Sequence, residues 1–128
     1  MRITPGGVAT IFGITAHATS ITSGPDGNLW FTEDAVDRIG RITPAGSVAT
    51  FSTGITTGSQ PYGITSGPDG NLWFTEFGAP RIGRITPTGT ITEFSAGITS
   101  GQWGITSGPD GNLWFTNYAT LAIGRITP

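Results

Sequence analysis

Three consecutive large apolar residues stand at Leu29, Trp30 and Phe31, again at Leu72, Trp73 and Phe74, and again at Leu113, Trp114 and Phe115. Successive side chains of a strand point to opposite faces, so a strand apolar at every position must be buried on both faces. Each run lies inside a longer phrase, ITSGPDGNLWFTE, which spans Ile21 to Glu33, returns unchanged from Ile64 to Glu76, and returns from Ile105 to Asn117 with only its last residue altered. A second phrase, IGRITP, begins at Ile39, Ile82 and Ile123, at spacings of 43 and 41 residues. A period of about 40–45 residues built of strands and turns is the length of one four-stranded propeller blade. In the middle unit the pattern predicts strand A at Tyr62 to Ser66, strand B at Asn71 to Glu76, strand C at Arg81 to Thr86 and strand D at Thr90 to Ser95. Blades packed face to face supply the two-sided burial that strand B requires.

The turns are written with equal regularity. In GPDG, Pro25, Pro68 and Pro109 preset φ for the second position of a type I turn, the following Asp bonds the local backbone, and the Gly takes positive φ. A hairpin between A and B follows. The aspartates Asp26, Asp69 and Asp110 are read as turn residues and not as calcium ligands, because no D-x-D-x-D-G spacing accompanies them. The connection from C to D reuses the Pro-x-Gly spacing, ending at Gly7, Gly46 and Gly89.

The phrase RITP at Arg2 to Pro5 is the end of a strand C, and the chain closes on the same phrase. The expected organisation is a half-propeller over 1–128: a lone strand D and loop over 1–20, with the strand at Val8 to Phe12, a blade over 21–62, a blade over 63–103, and strands A, B and C over 104–128. Propellers hold roughly 4 to 8 blades. Three cannot close, so the expectation is an all-β fold of three four-stranded blades per chain closing as a six-bladed ring by homodimerisation, strand D of each chain completing the last blade of the other. A trimer would need nine blades, a wider and rarer ring.

Composition narrows the function classes. Twenty-one glycines and nine prolines nearly exclude helix, while 36% hydrophobic residues suffice for a core. Charged residues are 11% of the chain, the net charge is -2, and every basic residue is an arginine, so no basic patch points to nucleic acid. Arg41, Arg84 and Arg125, which recur in strand C, are read as surface or inter-blade hydrogen-bonding residues. No cysteine is present to make disulfides or thiolate metal sites. No apolar run approaches the roughly 20 residues of a membrane span and MRITPGG lacks a signal-peptide core. A cytoplasmic protein with no membrane or nucleic-acid partner is the expectation.

At GPDGNLWFTE, IGRITPTGTITEF and PYGITSGPDG the chain resembles the virginiamycin B lyase family, bacterial propellers that open streptogramin B antibiotics by elimination. The resemblance covers essentially the whole chain. Lyases of that family are seven-bladed in one chain, so this sequence corresponds to fewer than half the blades. The resemblance implies a magnesium ion near the top of the central channel, held by glutamates of which one ends the WFTE phrase, and a histidine just before strand A as proton acceptor. The metal-binding type of glutamate falls on Glu33 and Glu76, with Asn117 in the third place. The histidine position falls on Thr19, Tyr62 and Trp103, none of them a base. The only histidine, His17, lies two residues before Thr19 and is the remaining candidate for a general base, since imidazole titrates near neutral pH.

Tyr62 and Trp103, at the start of the innermost strand, are expected to line the channel mouth, where aromatic side chains hold apolar or sugar-like ligands or simply fill the hole. Three readings of function result. The favoured one is a self-assembling propeller module, natural fragment or engineered, without a catalytic task and without a resident cofactor; the phrases are near copies, whereas an asymmetric active site needs different residues in different blades. The alternatives are a magnesium-dependent carbon–oxygen lyase acting on streptogramin B antibiotics, and a propeller that binds a small ligand at its channel mouth.

Overall fold

The computed structural model describes residues 1–128. Three sheets follow one another along the chain. The first blade is β3 (Ser20–Ser23), β4 (Leu29–Glu33), β5 (Arg38–Ile42) and β6 (Val48–Phe51). The second is β7 (Pro61–Ser66), β8 (Leu72–Glu76), β9 (Arg81–Ile85) and β10 (Ile91–Phe94). The third has three strands, β11 (Gln102–Ser107), β12 (Leu113–Asn117) and β13 (Ala122–Ile126). Strands within each blade pair antiparallel in sequence order, and the only helical segment is a single 3-10 turn at Asp34–Val36. The second and third blades begin at Pro61 and Gln102, slightly earlier than the expected 63 and 104, because Pro61 pairs with Glu76 and Gln102 with Asn117 before a bulge that runs to Ile64 and Ile105.

The N-terminus forms a sheet of its own in the single chain. The strand expected alone at Val8 to Phe12 is β2 (Ala9–Thr10), and it pairs with β1 (Arg2–Ile3) in a two-stranded hairpin. An unpaired strand would leave its amides and carbonyls without partners, and the residues nearest in sequence supply them.

The blades stack through two apolar seams of the same composition. Between the first and second blades Trp30 and Ile39 meet Ile64, Leu72, Phe74 and Ile85. Between the second and third, Trp73 and Ile82 meet Leu113 and Phe115, with Ile105 and Ile126 packed against them. Each blade therefore carries a Trp–Ile face toward the blade that follows and a Leu–Phe–Ile face toward the blade that precedes. Glycine opposite phenylalanine lets each ring lie across the neighbouring strand of its own blade: a Cβ on Gly83 would run into the Phe74 ring, as one on Gly40 would into Phe31 and one on Gly124 into Phe115.

Polar groups repeat across the seams. Thr32 Oγ1 accepts from the Ser20 amide (3.1 Å) and donates to the Tyr62 carbonyl of the next blade (2.6 Å); Thr75 Oγ1 accepts from Gly63 (2.8 Å) and donates to Trp103 O (2.6 Å). At the opposite end of strand A, the Ser66 and Ser107 hydroxyls donate to the carbonyls of Ser23 and Ser66. Nearer the outer edge, the Arg41 guanidinium lies 5.5 Å from the ring centres of both Trp30 and Phe51 and donates to the Pro87 carbonyl of the next blade (3.1 Å).

The GPDG turns form as expected, with Gly27, Gly70 and Gly111 at positive φ of 76–78°. Their aspartates do more than turn the chain. Asp69 Oδ1 accepts from Trp73 Nε1 (3.0 Å) and the Asn71 amide, while Oδ2 accepts from Asn71 Nδ2 (2.8 Å); Asp26 and Asp110 do the same for Trp30 and Trp114. Burial pushes the Asp26 and Asp69 carboxyls up, but these donors together outweigh it and hold both below the ordinary 3.8. At Asp110 the Trp114 and Asn112 bonds hold the carboxyl down at about 2. Removing the acceptor by Asp69→Ala leaves a buried indole N–H unpaired and is expected to cost about 2 kcal/mol, read as a shift in the urea midpoint at pH 7. Depressed carboxyls stabilise the fold above their ordinary pKa and lose that effect as pH falls through the lowered one. The penalty of the substitution should therefore shrink in acid, below the ordinary 3.8.

Candidate functional site

The start of strand A and the end of strand B lie side by side, so the residues singled out in the sequence gather at one end of the blades. Tyr62 and Trp103 are brought together, with ring centres 5.1 Å apart and edge to face. Phe77 joins both, at 6.1 Å from Tyr62 and 6.0 Å from Trp103, and Tyr118 lies 5.5 Å from Trp103. Phe77, Trp103 and Tyr118 are exposed, so this aromatic cluster faces outward. Phe77 and Tyr118 were missed in the sequence although both directly follow the WFTE or WFTN phrase; their shared repeat position was the available signal.

Glu33 and Glu76 end strand B beside this cluster, and both are buried. Their surroundings differ. Glu33 Oε2 accepts from Arg38 Nε at 2.8 Å, a charge-assisted pair that neutralises it. Glu76 is without a hydrogen-bond partner at either oxygen. Burial pushes its carboxyl up from 4.5 to about 7, and the nearby Glu93 carboxylate adds to the shift, while the neighbouring Ser59 hydroxyl and the Arg81 guanidinium oppose it. Glu93 is itself held by the Thr56 amide (2.6 Å) and hydroxyl (2.7 Å) and lies 3.5 Å from Arg81 Nε. Asn117, in the third place, donates through Nδ2 to Thr99 Oγ1 (3.0 Å) and accepts from the Thr120 amide (2.9 Å), tying down its own loop.

Within the single chain the two glutamates are engaged differently. Magnesium takes near-octahedral oxygen coordination; Glu33 is paired with Arg38, Glu76 lies near Glu93 and Arg81, and no three His, Cys, Asp or Glu side chains come together in the chain. His17 is exposed in the loop between β2 and β3. Thr19, whose amide donates to the Thr32 carbonyl (2.9 Å), holds the first-blade place that Tyr62 and Trp103 hold in the others. No helix of the chain is long and apolar enough to cross a membrane.

Antiparallel blades of four, four and three strands stacked face to face, with their first strands side by side, define a β-propeller segment. The chain belongs to the virginiamycin B lyase family, whose profile matches residues 1–128. It is similar to a virginiamycin B lyase from Staphylococcus aureus, with 40% identity and a TM-score of 0.92 over 99% of this chain and 44% of that one. A streptogramin B lyase matches at 39% identity and a TM-score of 0.91, over 98% of this chain and 43% of that one. A catalytically inactive Staphylococcus aureus virginiamycin B lyase with Quinupristin matches at 41% identity and a TM-score of 0.91, over 98% of this chain and 44% of that one. The chain thus spans less than half the length of these solved lyases. No curated protein sequence matches it at a significant level.

Proposed function

We propose that the 128-residue chain acts as a self-assembling β-propeller module, two copies closing a six-bladed ring, with no catalytic task and no resident metal in the single chain. The observation that carries this reading is the complementarity of the two terminal blade faces. The third blade exposes its Trp–Ile face at Trp114 and Ile123, and the first blade carries the matching face at Ile21, Leu29, Phe31 and Ile42, of which Ile21 is largely exposed while Phe31 and Ile42 are already buried in the single chain. These are the two surfaces that fit together at both internal seams. Burying them releases apolar area from water at both ends of the arc. Light scattering at micromolar concentration is expected to give twice the mass of the chain; a monomer at every concentration overturns the reading.

Two alternatives have support of their own. Family membership and about 40% identity to streptogramin lyases favour a magnesium-dependent lyase; the placement of Thr19, Tyr62 and Trp103 where the resemblance implies a histidine disfavours it. Turnover of virginiamycin B that requires magnesium and is lost in Glu76→Gln would replace the module reading with the lyase. The aromatic cluster at Tyr62, Phe77 and Trp103 favours a small apolar ligand at the mouth, which quenching of tryptophan fluorescence by Quinupristin tests.

A further inference from the structure

The N-terminal hairpin occupies a defined place in the repeat. Arg2 Nη1 donates to the Pro44 carbonyl (3.3 Å) as Arg41 does to Pro87, and its guanidinium lies 5.9 Å from the Phe12 ring as that of Arg41 lies over Phe51. Phe12 packs at Gly46 as Phe51 packs at Gly89. The hairpin is therefore the outer half of a blade, strands C and D without A and B, seated on the first blade in the geometry of the internal seams.

The third blade lacks what this hairpin holds. Trp30 stacks on Phe51 at 5.5 Å and Trp73 on Phe94 at 5.4 Å, each pair with an arginine over it. Trp114 has Arg125 at 5.7 Å but no phenylalanine, and it stays 36% exposed where Trp30 and Trp73 are fully buried. Phe12 has Arg2 but no tryptophan. The edge of β13 is unpaired, and the sequence that pairs with β2, Arg2-Ile3, is the same as Arg125-Ile126 at the end of β13.

We propose that β1 is a placeholder: it occupies on β2 the position that β13 of a second copy takes when two chains join, so that assembly proceeds by strand displacement. The register is fixed by the complete blades. Ile85 faces Ile91, Arg84 faces Thr92 and Ile82 faces Phe94; carried over by repeat position, Ile126 of one copy faces Ala9 of the other, Arg125 faces Thr10 and Ile123 faces Phe12. Arg2 now faces Thr10 and Ile3 faces Ala9, so β1 and the incoming strand compete for the same backbone groups. The exchange swaps a two-residue strand for a five-residue one and delivers Phe12 onto Trp114. This inference rests on the ring reading above and adds to it a cost: only molecules with β1 displaced are competent to join, and the apparent affinity is reduced by that fraction.

Two full-length variants test it. Arg2→Gly/Ile3→Gly removes the placeholder's side chains and its bond to Pro44 while keeping β2, and is expected to tighten dimerisation about tenfold or more, measured by sedimentation with tryptophan emission shifting to the blue as Trp114 is covered. Ala9→Cys/Ile126→Cys, in a chain otherwise free of cysteine, is expected to form a disulfide between copies under mild oxidation. A dimer whose affinity is unchanged in the glycine variant overturns the placeholder, with or without the cross-link. A dimer that forms without the cross-link overturns the register. A parent and glycine variant that both stay monomeric remove the ring reading and this inference with it.

Discussion

Trp73→Ala is expected to cost about 3–5 kcal/mol, the range for emptying a large aromatic site in a packed core, against a total stability for a small domain of about 5–15 kcal/mol. Trp73 is fully buried at the seam of the second and third blades, stacks on Phe94 and is held at its nitrogen by Asp69. No neighbour can collapse into the space, because the strand behind it is pinned on both sides. Trp114→Ala removes the same side chain from the open face and should cost the single chain much less. Urea melts of the two variants in dilute protein make the comparison; equal losses would show that the third blade is as well covered as the second.

Glu76→Gln is expected to stabilise the protein at pH 8 by up to about 3 kcal/mol, the free energy that corresponds to a carboxyl displaced from 4.5 to about 7. The direction follows from the raised value. The fold favours the protonated acid, so the contribution of Glu76 is fully present below pH 4.5 and is lost as pH rises through about 7. Glutamine keeps the shape and carries no charge. The parent should lose stability between pH 4.5 and 8 while the variant loses little over the same interval, and the two should nearly coincide at pH 4. Parallel curves for parent and variant across that range would contradict the burial of an unpaired acid at this position.

The strands and turns were legible because local chemistry decides them. LWFT fixes two-sided burial, and GPDG fixes a hairpin with a glycine where φ must be positive. Period and register then follow. What depends on neighbours in space was less legible. Glu33 and Glu76 end identical phrases, and the resemblance implies the same role for both; the structure buries both, pairs one with Arg38 and leaves the other without a hydrogen bond beside Glu93. The difference comes from strand D, where Glu93 stands in the second blade at the place Thr50 has in the first, and draws Arg81 toward itself. The aromatic cluster was half legible: Tyr62 and Trp103 stand at the start of strand A, while Phe77 and Tyr118 enter from the turn after strand B. The four-residue spacing from Asp69 to Trp73 was visible, but assigning the aspartate to the turn left its bond to the indole unseen. RITP reads as the end of a strand C, and Arg2-Ile3 pairs with strand D as a strand C does in the complete blades.

The identical seams have a consequence for how large an assembly grows. A face that accepts the back of its own neighbour is a head-to-tail joint, and such joints yield rings when the rotation per unit returns to its start and open filaments when it does not. In the proposed ring, the chemistry of Trp, Ile, Leu and Phe at each joint would be the same whether the next blade belongs to the same chain or another. The number of blades is therefore encoded in an angle and not in any contact: small changes at the innermost strands, where Gly63 lets the Trp103 backbone approach, would alter the count while leaving every seam intact.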